Sequence, residues 1–569
     1  LTLRGDYMKD DGSVGAVYHV VRPGTANNTA DLPHSPYRYR ADFVTDGNYL
    51  RNHGWSANID WRLGDYQLRS ITGGRNIRIN TEYDSDSTEL PIYTAVLNDQ
   101  SRTISQEFQI VSPTGGKFDW ILGAYYYQEK AHDLTTSGGP YPYGPFYLLD
   151  PSNNFLYSST TSQYLHLNIP FDNRGVFDSR NVTNSYAAFG QARYKFTDKL
   201  QATVGLRYTE EKRAFSGTAG KTFVGINGGF YAFNPAAACH DLVAANPVSS
   251  PAGLTPAQAE AICVTNVNND IATYSALDTQ GRSDQTLKFH NLSERFALDY
   301  YPSPDTHIYA TATSGFKSGG FNSYDTDAAY SGSQPGNPGV PVIAFQPPFG
   351  PEHLWSYEVG IKGRLFGKAL QYSLDAFYYN WSNIQSQIYN YTNGTSNITS
   401  DAKARAMGIE LDVLATPWKG GSVDFAGAWI DSKYTHFGSN IDDVVTGATN
   451  QDFTGTSLPG SPKWKWSLGV QHTVPVGSIG DLTLRGEWLH RSATFWVYTK
   501  DPIAKSGDYD LFNLRLTYRD PSTRFSAGVY VENVFNQYYD YYRYGASTTG
   551  VIAIVGPPRT AGVRLGVNF

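Results

Sequence analysis

The lengths of the links between strand-like segments constrain this chain more than any other feature. Period-two alternation recurs along it. In Trp355-Ser356-Tyr357-Glu358-Val359-Gly360-Ile361-Lys362-Gly363-Arg364-Leu365, one face carries Trp, Tyr, Val, Ile, Gly and Leu, and the other Ser, Glu, Gly, Lys and Arg. The segments Phe525–Glu532 and Val563–Phe569 split the same way. Alternation alone suits either a soluble sandwich or a barrel in lipid. The links decide. Very short ones fall at Gly64-Asp65, Thr114–Gly116, Thr197-Asp198, Ser303–Asp305, Gly367-Lys368, Gly420-Gly421, Gly477-Ser478 and Asp520–Ser522. Between them lie long stretches near 12–50, 82–101, 133–178, 214–283, 322–350 and 437–458. A sandwich has no reason to place every long loop at one end. A bacterial outer-membrane barrel does, with short turns facing the periplasm and long loops facing outside. The fold class expected is therefore all-β: a large antiparallel transmembrane β-barrel with about 18 strands visible, the first running outward and the last inward.

Composition agrees. The chain has 55 Gly, 42 Tyr, 29 Phe and 11 Trp against 2 Met, and aromatic residues and Gly suit pleated walls and tight bends. Mean hydropathy is −0.41, and no apolar run approaches the ~18 residues of a membrane helix. That does not exclude a membrane, because a β-strand crosses it in ~9–11 residues with only alternate positions apolar. The net charge of −7 and the lack of a dense basic block argue against nucleic acid as a partner. Leu1 opens inside a strand-like run, which reads as an N-terminally truncated chain.

Cys239 and Cys263 sit in one polar stretch of the 214–283 loop, with only His240 as a further ligand type, so a metal site is not expected. A disulfide stapling the loop is the preferred reading, and two free thiols the alternative. Thr255-Pro256-Ala257-Gln258 between them predicts a short capped helix, with Thr255 as N-cap and Gln258 as the reciprocal cap. Asn440, Asp442 and Asp443 lack the spacing of a calcium loop and read as a solvated turn. No nucleophile elbow, zinc motif or phosphate loop is present in the sequence, so no catalytic residue, cofactor or resident metal is expected.

Two groups of residues are candidates for function. Glu358, Lys362, Arg364, Glu410, Asp412 and Glu532 fall on positions expected to face the lumen, where they would form a solvated wall, hold an internal plug or guide a solute. The long loops are rich in aromatics: Tyr141, Tyr143, Phe146 and Tyr147; Tyr324 and Tyr330; and Tyr538, Tyr539, Tyr541, Tyr542 and Tyr544 beside Arg543. Tyrosine offers an apolar face and a hydroxyl, which suits a ring-bearing ligand or a sugar, but also an interfacial girdle or loop packing.

Several segments resemble the C-terminal barrel of TonB-dependent receptors. Gly315-Phe316-Lys317-Ser318-Gly319-Gly320-Phe321-Asn322 is similar to that family's strand-to-loop segment, which adds Phe316 and Lys317 to the candidates. Pro351-Glu352 leading to Tyr357-Glu358-Val359-Gly360-Ile361-Lys362 resembles its next strand, and Phe377–Gln385 the one after. Gly408-Ile409-Glu410-Leu411, Asn533–Tyr539 and Gly556–Thr560 follow in family order. The resemblance implies a monomeric 22-stranded barrel around an N-terminal plug, energised through TonB and the inner-membrane complex, and importing a scarce solute. A ferric siderophore is the first expectation; an oligosaccharide or aromatic carbon source is the alternative. A passive porin-like channel or a barrel-borne adhesin or enzyme are rivals from other classes. The other expected partners are outer-membrane lipid or lipopolysaccharide and the barrel-assembly machinery, whose signal the terminal Phe569 resembles.

Overall fold

A computed structural model of the chain describes residues 1–12, 18–20, 48–84, 94–139, 171–225, 281–322, 347–390, 395–437, 441–443, 448–546 and 550–568, with shorter pieces inside 255–264 and 326–345. Eighteen strands form one sheet. They are β1 (Thr2–Asp10), β2 (Tyr49–Leu63), β3 (Tyr66–Asp84), β4 (Thr94–Val111), β5 (Phe118–Gly139), β6 (Phe171–Lys195), β7 (Leu200–Gly225), β8 (Gly281–Ser303) and β9 (Thr306–Lys317). The series continues with β10 (Glu352–Leu365), β11 (Leu370–Asn390), β12 (Thr395–Ala415), β13 (Gly421–His436), β14 (Trp464–Pro475), β15 (Asp481–Arg491), β16 (Tyr509–Arg519), β17 (Phe525–Glu532) and β18 (Thr560–Val567). Residue-by-residue registers pair each strand antiparallel with the next in sequence order. This is the up-and-down wall that the link lengths predict, with the short turns on one rim. β1 and β18 are the two edges, and no register joins them among the described residues.

Cross-strand partners share a face, so the registers sort every wall residue into one of two surfaces. One is apolar and exposed: Leu122, Leu206, Leu298, Val359, Ile409, Leu484 and Val529 are all 47–55% accessible. Such a surface in water would aggregate; in a bilayer it is the lipid face. Aromatic rings bound it on both sides. Trp61, Tyr66, Trp120, Tyr194 and Trp418 lie toward the short turns, and Trp55, Tyr357, Trp429, Trp464 and Trp488 toward the long loops. Trp464 and His472 on β14 delimit roughly 26 Å of strand at ~3.3 Å per residue, close to the height of a lipid-facing apolar band. The other face is polar and laced with ion pairs, including Arg75 with Asp6 at 2.9 Å and Arg485 with Asp424 at 2.7 Å.

Among the described residues the wall has no central apolar core, and aromatic rings pack onto glycines along the polar face. Gly408 leaves room for Phe377: a Cβ there would lie 2.5 Å from the ring and 2.4 Å from the carbonyl oxygen of Trp429. At the short rim the tight hairpin at Gly64 needs a left-handed residue, and its φ is +62°. The Asp520 turn is closed by its carboxylate, which accepts from the amides of Phe525 (2.7 Å) and Ser522 (3.2 Å). The Ser522 hydroxyl and then the Phe525 amide hold that carboxyl below its ordinary range.

Candidate functional site

Residues of three of the motifs converge on one junction below the long loops. Asn383 takes a positive φ of 56° and bulges β11. The amide of Gln385 that the bulge exposes donates to the Glu352 carboxylate at 2.9 Å. The Gln385 side-chain amide donates to the carbonyls of Ser318 (2.8 Å) and Gly350 (3.1 Å). Asn322, 6% exposed, donates to the carbonyls of Pro347 (2.7 Å) and Ile398 (3.1 Å) and accepts from the Ile398 amide (2.8 Å). Phe321 stacks on Phe215 of β7 at 5.1 Å. Three separate motifs thus form one clasp that fixes where β9, β10, β11 and β12 leave the wall. The clasp is architectural: the Gln385 and Asn322 side chains bond the backbone of neighbouring segments.

Above β12–β16 the long loops have a core of their own. Phe437, Ile441 and Phe453 bury against Ala402, Ala404 and Tyr434, with Tyr498 packed beside them. Asp442 and Asp443 are 5% and 3% exposed, which corrects the expectation of a solvated turn. The Asp442 carboxylate accepts from the Asn450 amide at 3.3 Å. The Asp443 carboxylate accepts from the Thr499 hydroxyl at 2.8 Å and from the Lys500 amide at 3.2 Å, joining the 437–463 loop to the 492–508 loop. A buried carboxylate costs several kcal/mol unless so satisfied. The pairing was invisible in sequence because Thr499 lies 56 residues away.

Beside this core, Lys465 of β14 and Arg491 of β15 are direct cross-strand partners on the polar face. Like charges so placed repel. Neither has a carboxylate partner among the described residues, and Arg491 Nε is buried without a hydrogen-bond acceptor. The Arg491 guanidinium lies 4.4 Å from the centroid of Trp496, which packs on Tyr542 at 5.3 Å. Tyr509, Tyr539 and Tyr541 continue the aromatic surface, with centroids 4.7 and 5.3 Å apart. Burial raises the Tyr542 hydroxyl above its ordinary pKa, so it stays protonated and can donate. This corner combines two unpaired cations with stacked rings at the outer mouth. Lys465, Arg491 and Trp496 were missed in sequence. The alternation places both cations on the polar face, but only the register shows that they are opposite each other.

The expected residues distribute as follows. Tyr541 is 47% exposed and Tyr542 half-buried in the aromatic corner. Arg543 is committed to structure: it bonds Asp540, itself 4% exposed, and donates to the Ile503 carbonyl at 2.9 Å. Phe316 lies on the lipid-facing side, stacked with His353 at 6.5 Å, whereas Lys317 points to the opposite face and is exposed. Glu358, Lys362, Arg364, Glu410, Asp412 and Glu532 all fall on the polar face. Glu358 accepts from the Tyr309 hydroxyl at 2.5 Å, and Lys362 sits 5.0 Å over that ring. Both border a recess of about 630 Å³ that also includes Arg193, Arg295, Asp299 and His307. Thr255 and Gln258 make the expected reciprocal cap, with N–H···O distances of 3.4 and 2.7 Å, and Ala257 and Gln258 are helical. Tyr141, Tyr143, Tyr147, Tyr324, Cys239, Cys263 and Phe569 lie outside the described residues.

The family model for the TonB dependent receptor-like β-barrel matches residues 2–534. The chain belongs to the TonB-dependent receptor family. Its members are outer-membrane barrels of Gram-negative bacteria, and the lipid-facing band and girdles agree with that location. The ferric yersiniabactin uptake receptor FyuA of Yersinia pestis shares the fold with a TM-score of 0.62 and 14% identity, over 92% of this chain and 62% of that one. The siderophore receptor PiuA of Acinetobacter baumannii does so with a TM-score of 0.63 and 13% identity, over 100% of this chain and 71% of that one. The copper transporter OprC matches with a TM-score of 0.55 and 13% identity, over 92% and 68%. The chain therefore spans about two thirds of the length of these receptors and transporters. At such identities the likeness establishes the fold, and cargo has to be argued from the site.

Proposed function

We propose that this chain is the barrel of an outer-membrane receptor that imports an anionic ferric siderophore by TonB-dependent active transport. The observation that carries the proposal is the cationic and aromatic corner at the outer mouth: Lys465 and Arg491 side by side, without counter-charge among the described residues, against Trp496 and Tyr542. Unpaired cations over a ring surface suit a solute with negative charge and planar groups. Siderophore receptors are among the proteins that share the fold, so an iron complex is the cargo to test first. The packed loop core beside the corner supports it before any ligand arrives, which limits the ordering cost of binding.

The polar face supplies the next stage. Glu358, Lys362, Arg364, Glu410, Asp412 and Glu532 line the route inward and form the surface on which a plug would rest, with Glu410 directly opposite Asp375 on the neighbouring strand. Outer-membrane abundance in iron-replete and iron-chelated cells tests the cargo. A large rise on chelation supports a ferric siderophore; constant abundance with growth on a sugar or an aromatic acid instead supports import of a carbon source.

A further inference from the structure

Beyond the membrane, the inner face of the sheet carries a pair of charges that neither solute capture nor the ion pairs of the wall explains. Asp99 of β4 and Asp133 of β5 are direct cross-strand partners. Exposed Ile104 and Leu122 mark the outward positions of these two strands, so the alternation turns both aspartates inward. Asp99 lies past Ile104 toward the long loops, about 16 Å along the strand, which places the pair above the apolar band. Direct partners hold their Cβ atoms about 5 Å apart, and like charges so placed repel.

The chain does not answer this charge among the described residues. Asp133 accepts two long hydrogen bonds, from the Ser179 hydroxyl and the Asn181 amide, both at 3.3 Å. Asp99 Oδ1 is buried without a partner. Thr135, the next inward residue after Asp133, is 9% exposed, and its hydroxyl is also buried without a partner. Inward cations on neighbouring strands are engaged elsewhere: Arg75 bonds Asp6 at 2.9 Å and Arg213 bonds Glu211 at 2.5 Å. His132 bonds Asp178 at 2.9 Å on the outward face. Glu129, inward and nearer the membrane, accepts from the Ser101 hydroxyl at 2.6 Å and adds negative charge. The adjoining links cannot supply a strong base. Residues 85–93, 140–170 and 226–280 contain no Lys or Arg, and the first two add Asp86, Glu89 and Asp150.

Two carboxylates this close need a proton or a cation between them. A shared proton would join the carboxylates but leave the Thr135 hydroxyl oxygen unmatched. A hard cation can take every oxygen present: two carboxylates, the Ser179 and Thr135 hydroxyls and, after a flip of its amide, Asn181. Calcium accepts such irregular sets of ~6–8 oxygens, some of them from water, whereas magnesium demands a near-ideal octahedron. No local motif announces the set, because its donors lie on three strands and only the register brings them together.

We infer that Asp99 and Asp133, with Ser179, Asn181 and Thr135, form a calcium site that ties β4, β5 and β6 together at the wall of the outer vestibule. The test uses the full chain in detergent, freed of divalent ions with a chelator, and titrated with calcium chloride or magnesium chloride by calorimetry. Unfolding temperature is followed in parallel by heat-dependent migration on gels. An Asp99→Asn, Asp133→Asn variant is compared with a control that removes two acids from the short-turn rim, Asp65→Asn and Asp198→Asn. Wild type and control are expected to bind one calcium and unfold at a higher temperature with it, and to bind magnesium at least tenfold more weakly. The double variant should bind calcium at least tenfold more weakly and, without any cation, unfold no earlier than wild type, since its repulsion is gone. Equal calcium binding by wild type and double variant overturns the inference, as does equal affinity for the two metals, which would mean a diffuse counter-ion only. An unfolding temperature that ignores calcium but rises between pH 7 and pH 5 overturns it in favour of a shared proton. If the double variant does not assemble, Asp99→Asn alone is expected to weaken calcium binding at least threefold, and unchanged binding overturns the site.

Discussion

At the residue scale, single side chains separate architecture from recognition. Asn322 makes three hydrogen bonds to the backbone of two segments, so Asn322→Ala strands buried backbone groups. Its expected cost is roughly 2–4 kcal/mol, read as a lower unfolding temperature of the folded barrel. Gly408→Ala meets a ring and a carbonyl oxygen closer than any Cβ can approach. It should cost about 1–3 kcal/mol by overpacking, with solute affinity unchanged where the barrel still assembles. Arg491→Gln removes a guanidinium stacked on Trp496 and should do the opposite: unchanged stability, and at least tenfold weaker solute binding by fluorescence quenching. Arg543 shows why residue type alone misleads. An arginine among tyrosines looks like a ligand contact in sequence, yet its hydrogen bonds go to Asp540 and Ile503.

At the element scale, the strands were legible because their apolar face must alternate and their short turns are marked by Gly, Asp and Pro. The strand count and the placement of the polar face followed from that. Loop structure was not legible, because the contacts that order it join residues far apart. Asp443 and Thr499 are the clearest case: nothing in either local sequence announces the other. Asp443→Ala should loosen both loops together, seen as faster amide exchange in 492–508, at a cost of roughly 1–3 kcal/mol. The turn at Asp520 gives a pH prediction. Its carboxyl is held below the ordinary range, so the stabilisation is complete above the ordinary carboxylate pKa and is lost as pH falls through the lowered value. Protection of the Phe525 amide should hold between pH 7 and about 5 and decline only in stronger acid, whereas Asp520→Ala should lose it at neutral pH.

At the scale of the whole molecule, one wall faces two solvents and carries a different chemistry on each side. The lipid face ends in aromatic girdles; the inner face is polar and mixes ion pairs such as Arg485 with Asp424 and like-charged neighbours such as Glu410 opposite Asp375, and at the outer mouth Lys465 and Arg491 have no carboxylate partner among the described residues. The most direct measurement of the central claim is uptake of an iron-55 siderophore complex by cells bearing the full-length protein, with and without TonB, and with wild-type or Arg491→Gln receptor. The account predicts accumulation that requires TonB and falls at least several-fold in the variant at limiting ligand. Accumulation that persists without TonB would make the barrel a passive channel, and uptake indifferent to Arg491 would remove the outer corner from the path of the solute.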